Sequence, residues 1–204
     1  MNLTKSWLPV TIRSALFFLL VMPDFAVADT QFFPPDCFHR LQSAPKIEAA
    51  MVLANEASLY SQGPAASTRN SYRLTVTPAY RDKPELIVRL DVGPEAGGSL
   101  VNYHFRNSGK PVSSTSDIQA KQTREFEQAY LAADFTPVSY PKIDLVNGRQ
   151  IVTLGIRGGN YWVFEALVNG VYRCVHRPAE EEGTFRDLVR SLLKIAGKDT
   201  ENYR

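Results

Sequence analysis

Two cysteines, three histidines and an acid set among apolar residues are the side chains whose types and placing bear on chemistry in this chain. Cys37 and Cys174 stand near opposite ends, and an even pair in an exported protein reads first as a disulfide. The rival reading makes Cys37 the nucleophile of a cell-wall hydrolase, with a histidine as its base. The segment Pro35-Asp36-Cys37-Phe38 lacks the small residue expected after such a cysteine, and neither His104 nor His176 stands in a supporting pattern. A bridge accounts for both cysteines, whereas catalysis accounts for one.

The acid is Glu165, inside the apolar run Tyr161 to Val168. Asn169-Gly170 follows, the strongest short hairpin signal in the chain, because both central positions of a type I′ turn need positive φ. A two-residue turn sets the register, so Val168 faces Val171, Glu165 faces Cys174 and Val163 faces His176. One face then carries Trp162, Phe164, Ala166, Val168, Val171, Arg173, Val175 and Arg177. The other carries Tyr161, Val163, Glu165, Leu167, Tyr172, Cys174 and His176. Glu165 lies diagonal to Tyr172 and His176, a cluster able to hold a ligand or move a proton. The plainer reading is a half-exposed acid on a sheet face. Trp162 pairs with Arg177 across the hairpin as a surface contact and, with Tyr161 and the loop Arg157-Gly158-Gly159-Asn160, composes a recognition patch. Core burial is the preferred reading for Trp162 and Phe164.

Other chemistries lack their residues. There is no H-E-x-x-H, G-x-S-x-G or P-loop, and His39, His104 and His176 are scattered. Glu125 and Glu127 do not share a helix face, which needs a spacing of three or four. Glu180-Glu181-Glu182 precedes a helix start, where negative charge is favoured. The expected site is therefore a set of contacts, namely Tyr161, Trp162, Glu165, Tyr172, Arg173, His176 and Arg177, beside a Cys37–Cys174 disulfide. No catalytic residue, metal or cofactor is expected.

The elements that must position these residues read as follows. Pro34-Pro35 keeps the lead-in extended, and a helix is predicted from Ser43 to Tyr60, with Ile47, Ala50, Met51, Ala54 and Ala57 at helical spacing and Gly63-Pro64 as its stop. Alternating apolar residues predict strands Tyr72 to Tyr80, Glu85 to Val92 and Leu100 to Phe105. Asn107 to Thr115, rich in Ser, Gly and Pro, reads as a loop. Ser116, three residues before Gln119, reads as the opening of a second helix with Phe126, Ala129 and Tyr130 on one face. Asp134 to Pro141 crosses back, and strands follow at Gln150 to Ile156, Tyr161 to Val168 and Val171 to Arg177. Thr184 is the expected cap of a last helix, with Phe185, Leu188, Val189, Leu192, Leu193 and Ala196 as its stripe and Gly197 as its stop. About six strands and three helices, with strands linked as hairpins, make an α+β fold on an antiparallel sheet.

The first residues set the expected compartment. Lys5 and Arg13 precede the apolar run Ala15 to Met22, and Ala26-Val27-Ala28 is a tripeptide that signal peptidase accepts, so residues 1–28 read as a cleaved leader and 29–204 as one domain. The run is far short of the ~20 residues that span a bilayer, and no later segment is long enough, so the mature chain is expected to carry no transmembrane segment. The chain has 23 basic and 21 acidic residues, and two of the former and one of the latter fall in the leader. A nearly neutral domain without basic runs gives no footprint for nucleic acid. These observations point to a periplasmic or secreted protein that binds another protein in the cell envelope, an inhibitor or an immunity protein against an envelope-acting toxin. The alternative is a cell-wall hydrolase using Cys37 or a Glu165/His176 pair.

Overall fold

A computed structural model describes residues 31–38, 44–62, 69–79, 84–106, 110–136, 142–146, 149–153, 159–179 and 182–203, with the backbone alone for those between 142 and 153. The proposed leader, the turns at 80–83 and 147–148, the Gly63-Pro64 stop and most of the loop before Asn160 lie outside them. The strands are β1 (Asn70–Pro78), β2 (Leu86–Val92), β3 (Gly98–His104), β4 (Val112–Ile118), β5 (Lys142–Val146), β6 (Arg149–Thr153), β7 (Asn160–Val168) and β8 (Val171–Pro178). The helices are α1 (Ala44–Leu53), α2 (Leu59–Gln62), α3 (Ala120–Ala132) and α4 (Thr184–Ile195), and a 3-10 turn spans Thr200–Tyr203. Among them no helix is long and apolar enough to cross a membrane.

Six strands form one antiparallel sheet in the order β4-β3-β2-β1-β7-β8, and β5 and β6 pair as a separate hairpin. The fold is α+β. Both faces of the central strands β1, β2 and β7 are covered, and strand parity assigns their residues to the two sides. Tyr72, Leu74 and Val76 of β1 point to one side, where Phe126 and Tyr130 of α3 and Leu188, Val189, Leu192 and Leu193 of α4 complete the main core. Ile87 and Val163 point to the other side and meet Phe32, Phe33 and Phe38 of the lead-in together with Ile47 and Met51 of α1. Burial of each such apolar side chain contributes on the order of 2 kcal/mol. The lead-in thus acts as a strap, held by the Cys37–Cys174 disulfide across a sequence separation of 137.

Local signals explain most of the elements. Asn169 and Gly170 have φ of 51° and 76°, as a type I′ turn requires, and the pairs Val168–Val171, Glu165–Cys174, Val163–His176 and Trp162–Arg177 all form. The α4 stripe is buried as expected, and Gly197, at φ 66°, stops the helix.

Four expectations need correction. The first helix ends at Leu53, because Asn55 takes φ 54°, a left-handed step that Asn tolerates, and the Glu56 amide bonds back to the Met51 carbonyl. The segment read as a loop after Asn107 contains β4, which pairs with β3 along seven residues. Ser116 is therefore strand, and α3 starts at Ala120 behind Gln119, whose amide meets the Gln122 carboxamide at 3.4 Å. Thr184 is the first residue of α4 rather than its cap, which is Gly183, and the Thr184 hydroxyl instead accepts the Asp134 amide at 2.9 Å. The sixth strand of the sheet is thus β4, while the segment beginning at Gln150 pairs with β5 outside it.

Candidate functional site

The hairpin of β7 and β8 places Glu165 on the strap face, opposite Arg73 of the neighbouring β1. Arg73 and Glu165 are wholly buried and bond in bidentate fashion, Nε to Oε2 at 2.6 Å and Nη2 to Oε1 at 2.8 Å. The Tyr172 hydroxyl donates to Glu165 Oε1 at 2.9 Å. On its other side the Arg73 Nη1 donates to the Ala57 carbonyl at 2.7 Å and to Glu56 Oε2 at 3.4 Å. Glu56 is delivered by the Asn55 corner between α1 and α2. It also receives Arg89 Nη1 on both oxygens at 2.8 Å, and Arg89 Nε reaches Asp91 Oδ2 at 3.0 Å. Ser71 closes the row on Asp91 Oδ1 at 2.7 Å.

Two guanidiniums and three carboxylates therefore run in one line across β7, β1 and β2, with Glu56 reaching in from the corner between α1 and α2. Burial opposes the Arg73 charge, but Glu165 and Glu56 more than offset it and its pKa is raised. Arg89 behaves likewise between Glu56 and Asp91. Burial, followed by the Glu165 charge and hydrogen bond, raises the Tyr172 phenol. Tyr103 is pushed up to about 12 by burial and then by Glu56. Such a saturated line ties the corner between α1 and α2 to the sheet. Both oxygens of Glu165 are engaged, Oε2 by Arg73 and Oε1 by Arg73 and Tyr172.

The expectation of a half-exposed Glu165 is thus corrected, because cross-strand pairing with an arginine compensates its burial. The structure brings Tyr172 to Glu165 as expected. It places His176 between the rings of Phe38 and Tyr161, with centroids at 5.3 Å to each. Trp162 and Phe164 lie in the core, as preferred, and the reading of Trp162–Arg177 as a surface contact is corrected, since Arg177 is buried as well. Trp162 Nε1 donates to the Tyr203 carbonyl at 3.0 Å, and Arg177 lies 4.7 Å over the Phe185 ring and donates to the Thr136 carbonyl. Cys37 is bonded to Cys174, so the thiolate that a cysteine nucleophile needs is absent. Among the described residues no group of His, Cys, Asp and Glu is arranged to hold a metal.

Of the expected contacts, Arg173 is exposed and Tyr161, Tyr172 and His176 are half-buried. Arg173 lies 5.6 Å over the Phe135 ring and separates two open clefts along the outer side of β8. One, of about 350 Å³, runs between Pro34, Asp36 and Cys37 of the strap and Phe135, Tyr172 and Val175. The other, of about 380 Å³, is lined by Tyr130, Leu131, Ala133, Val168, Asn169 and Val171. Leu131 and Val171 are 80% and 59% exposed there, a pair of large apolar side chains presented to solvent at one end of the molecule. A third cleft, between α3, α4 and the C-terminal turn, mixes both signs of charge and contains the Arg190–Glu201 pair at 3.2 Å, so it converges on no one ligand chemistry.

The sequence reading missed Arg73, Glu56 and Arg89, and missed the exposed Leu131 and the half-buried Phe135. A signal existed for the first group, since Arg73 and Arg89 interrupt apolar strands as Glu165 does. Leu131 stands off the apolar face of its helix, and that was the one hint of the exposed patch. No family model matches the chain, and no curated protein matches it either.

Proposed function

We propose that the chain is an exported binding protein, of the inhibitor or immunity type, that occludes a protein partner in the cell envelope. One observation carries the reading: an apolar and cationic patch of Leu131, Val171, Arg173 and Phe135, flanked by two open clefts on the outer side of β8. Exposed aliphatics beside an arginine stacked on a ring have the composition of an interface centre. The groups that would support an enzyme are instead committed to structure, Cys37 in a bridge and Glu165 in an ion pair. The disulfide also suits an oxidising compartment.

A photo-reactive amino acid placed at Val171 or Leu131 in the native host tests the binding part. One discrete adduct from both positions, absent from the same probe at Val52 on α1 and lost in Arg173→Glu, is the expected result. Adducts that are equal at all three positions, or none at Val171 and Leu131, would sink it. The intact mass of the chain from the envelope fraction tests export, and a chain beginning at Met1 would refute it.

A further inference from the structure

At the opposite edge of the sheet, β4 reads Val-Ser-Ser-Thr-Ser-Asp-Ile, and all of it except Ile118 is exposed. Residues on both of its faces are open to solvent, so neither α3 nor α1 overhangs it. Hydrogen-bond parity shows which backbone groups point outward. Phe105 N donates to Glu85 O and Gly93 N to Gly97 O, so the odd-numbered residues of β3 serve β2. The even-numbered residues of β3 therefore serve β4, where Val112, Ser114, Ser116 and Ile118 answer them. The N–H and C=O groups of Ser113, Thr115 and Asp117 point away from the sheet and have no backbone partner among the described residues. Exposed edges are normally defended by Lys, Pro, an inward charge or a bulge. From Val112 to Ser116 there is none, and Lys110 and Pro111 stand just before the strand.

We infer that β4 pairs antiparallel with β4 of a second copy of this chain, about a two-fold axis at Thr115, joining two sheets into one. The register is fixed by the outward groups. Centring on Thr115 sets Thr115 against itself and Ser113 against Asp117 of the partner, so every outward N–H and C=O of the three residues is used. The side chains agree with this register. Ser113 brings a hydroxyl donor to the Asp117 carboxylate, Ser114 meets Ser116, and Val112, 53% exposed, meets Ile118. No like charges are opposed. A slide of one residue would turn the outward backbone groups away from each other, and a slide of two would leave one of the three residues without an outward partner in the strand, so the Thr115 register uses the most groups. The reading is independent of the patch on β8, which lies at the far edge.

An interface built on one strand edge is smaller than the ~800 Å² per partner of a standard complex, so the association is weak and concentration-dependent. Sedimentation of the purified protein from about 1 to about 300 µM tests it. The mass is expected to rise toward twice the chain mass. Thr115→Pro is expected to hold the protein monomeric throughout, because it removes an N–H that β3 does not use and leaves the β3–β4 ladder intact. Thr115→Lys, which sets two ammonium groups across the axis, should weaken the dimer at least about tenfold at low salt, even if the proline variant folds poorly. Arg173→Glu should dimerise like the wild type, so that loss of partner binding and loss of self-pairing are read separately. A wild-type monomer at the highest concentration, or a Thr115→Lys variant that dimerises undiminished, would overturn the inference.

Discussion

Arg73 has no access to water, yet it sits in the middle strand pair of the sheet with a carboxylate on either side. Removing one member of such a pair strands the other charge in a low-dielectric interior. Arg73→Met and Glu165→Leu are each expected to lower stability by about 3–5 kcal/mol, and the double variant by clearly less than their sum. Urea unfolding of the four proteins at neutral pH gives the coupling, and strict additivity would show that the two side chains act separately. The same pair marks how far single residues could be read. Glu165 was legible as an acid needing a partner, and its register with Cys174 followed from Asn169-Gly170. Its actual partner lies 92 residues away on a strand that no local pattern places beside β7.

For single elements, the success of the reading tracks how much of the element is buried and how strong its turn or stop signal is. α4 buries one stripe, whereas β7 is buried along both faces and owes its legibility to the Asn169-Gly170 turn; both were read to within a residue or two. β4 buries neither face, so its run of serines and threonine carries no alternation and resembles a loop until β3 is seen to pair with it. The α1–α2 corner failed for another reason, a left-handed Asn55 in mid-pattern. Packing of α3 on the sheet gives a sharper test. A Cβ on Gly98 would lie 2.8 Å from the Thr123 methyl and 3.1 Å from Leu90 Cδ1. Gly98→Ala is expected to cost about 1–3 kcal/mol. Thr123→Ser keeps the hydroxyl that bonds the Ala96 and Ala120 carbonyls and deletes the clashing methyl, so the double variant should recover most of the loss. Thermal melting of the two variants and the wild type decides this. If the double variant melts no higher than Gly98→Ala alone, the contact with Thr123 is not the cause.

Over the whole molecule, the sheet is a wall shared by two cores. The α+β class and the number of strands in the sheet were legible, but the sixth member was not, because the order of strands depends on pairings far apart in sequence. The second core rests on the strap, which the disulfide fixes covalently and the Ser58 hydroxyl ties by donating to the Gln31 carbonyl. Cys37→Ser with Cys174→Ser is expected to lower stability by about 4–5 kcal/mol in the chain-entropy view of a bridge spanning 137 positions. Amide exchange should rise first around Ile47, Met51 and Ile87, with α4 slower to respond. Uniform exchange gains in both cores would argue against two separable layers.

The bridge also determines where tension travels. If the chain is pulled by its two ends, force entering at the strap passes through the sulfurs at Cys37 and Cys174 and leaves along the second half of β8 toward α4 and the C-terminal turn. Strands β1 to β4 lie inside the closed loop and carry none of that load. The first part to give way is the tail, held by the Trp162 indole on the Tyr203 carbonyl and by the α4 stripe. Under stretching the protein therefore lengthens only by residues outside the loop, and reduction of the bridge releases the rest as a second, much longer extension.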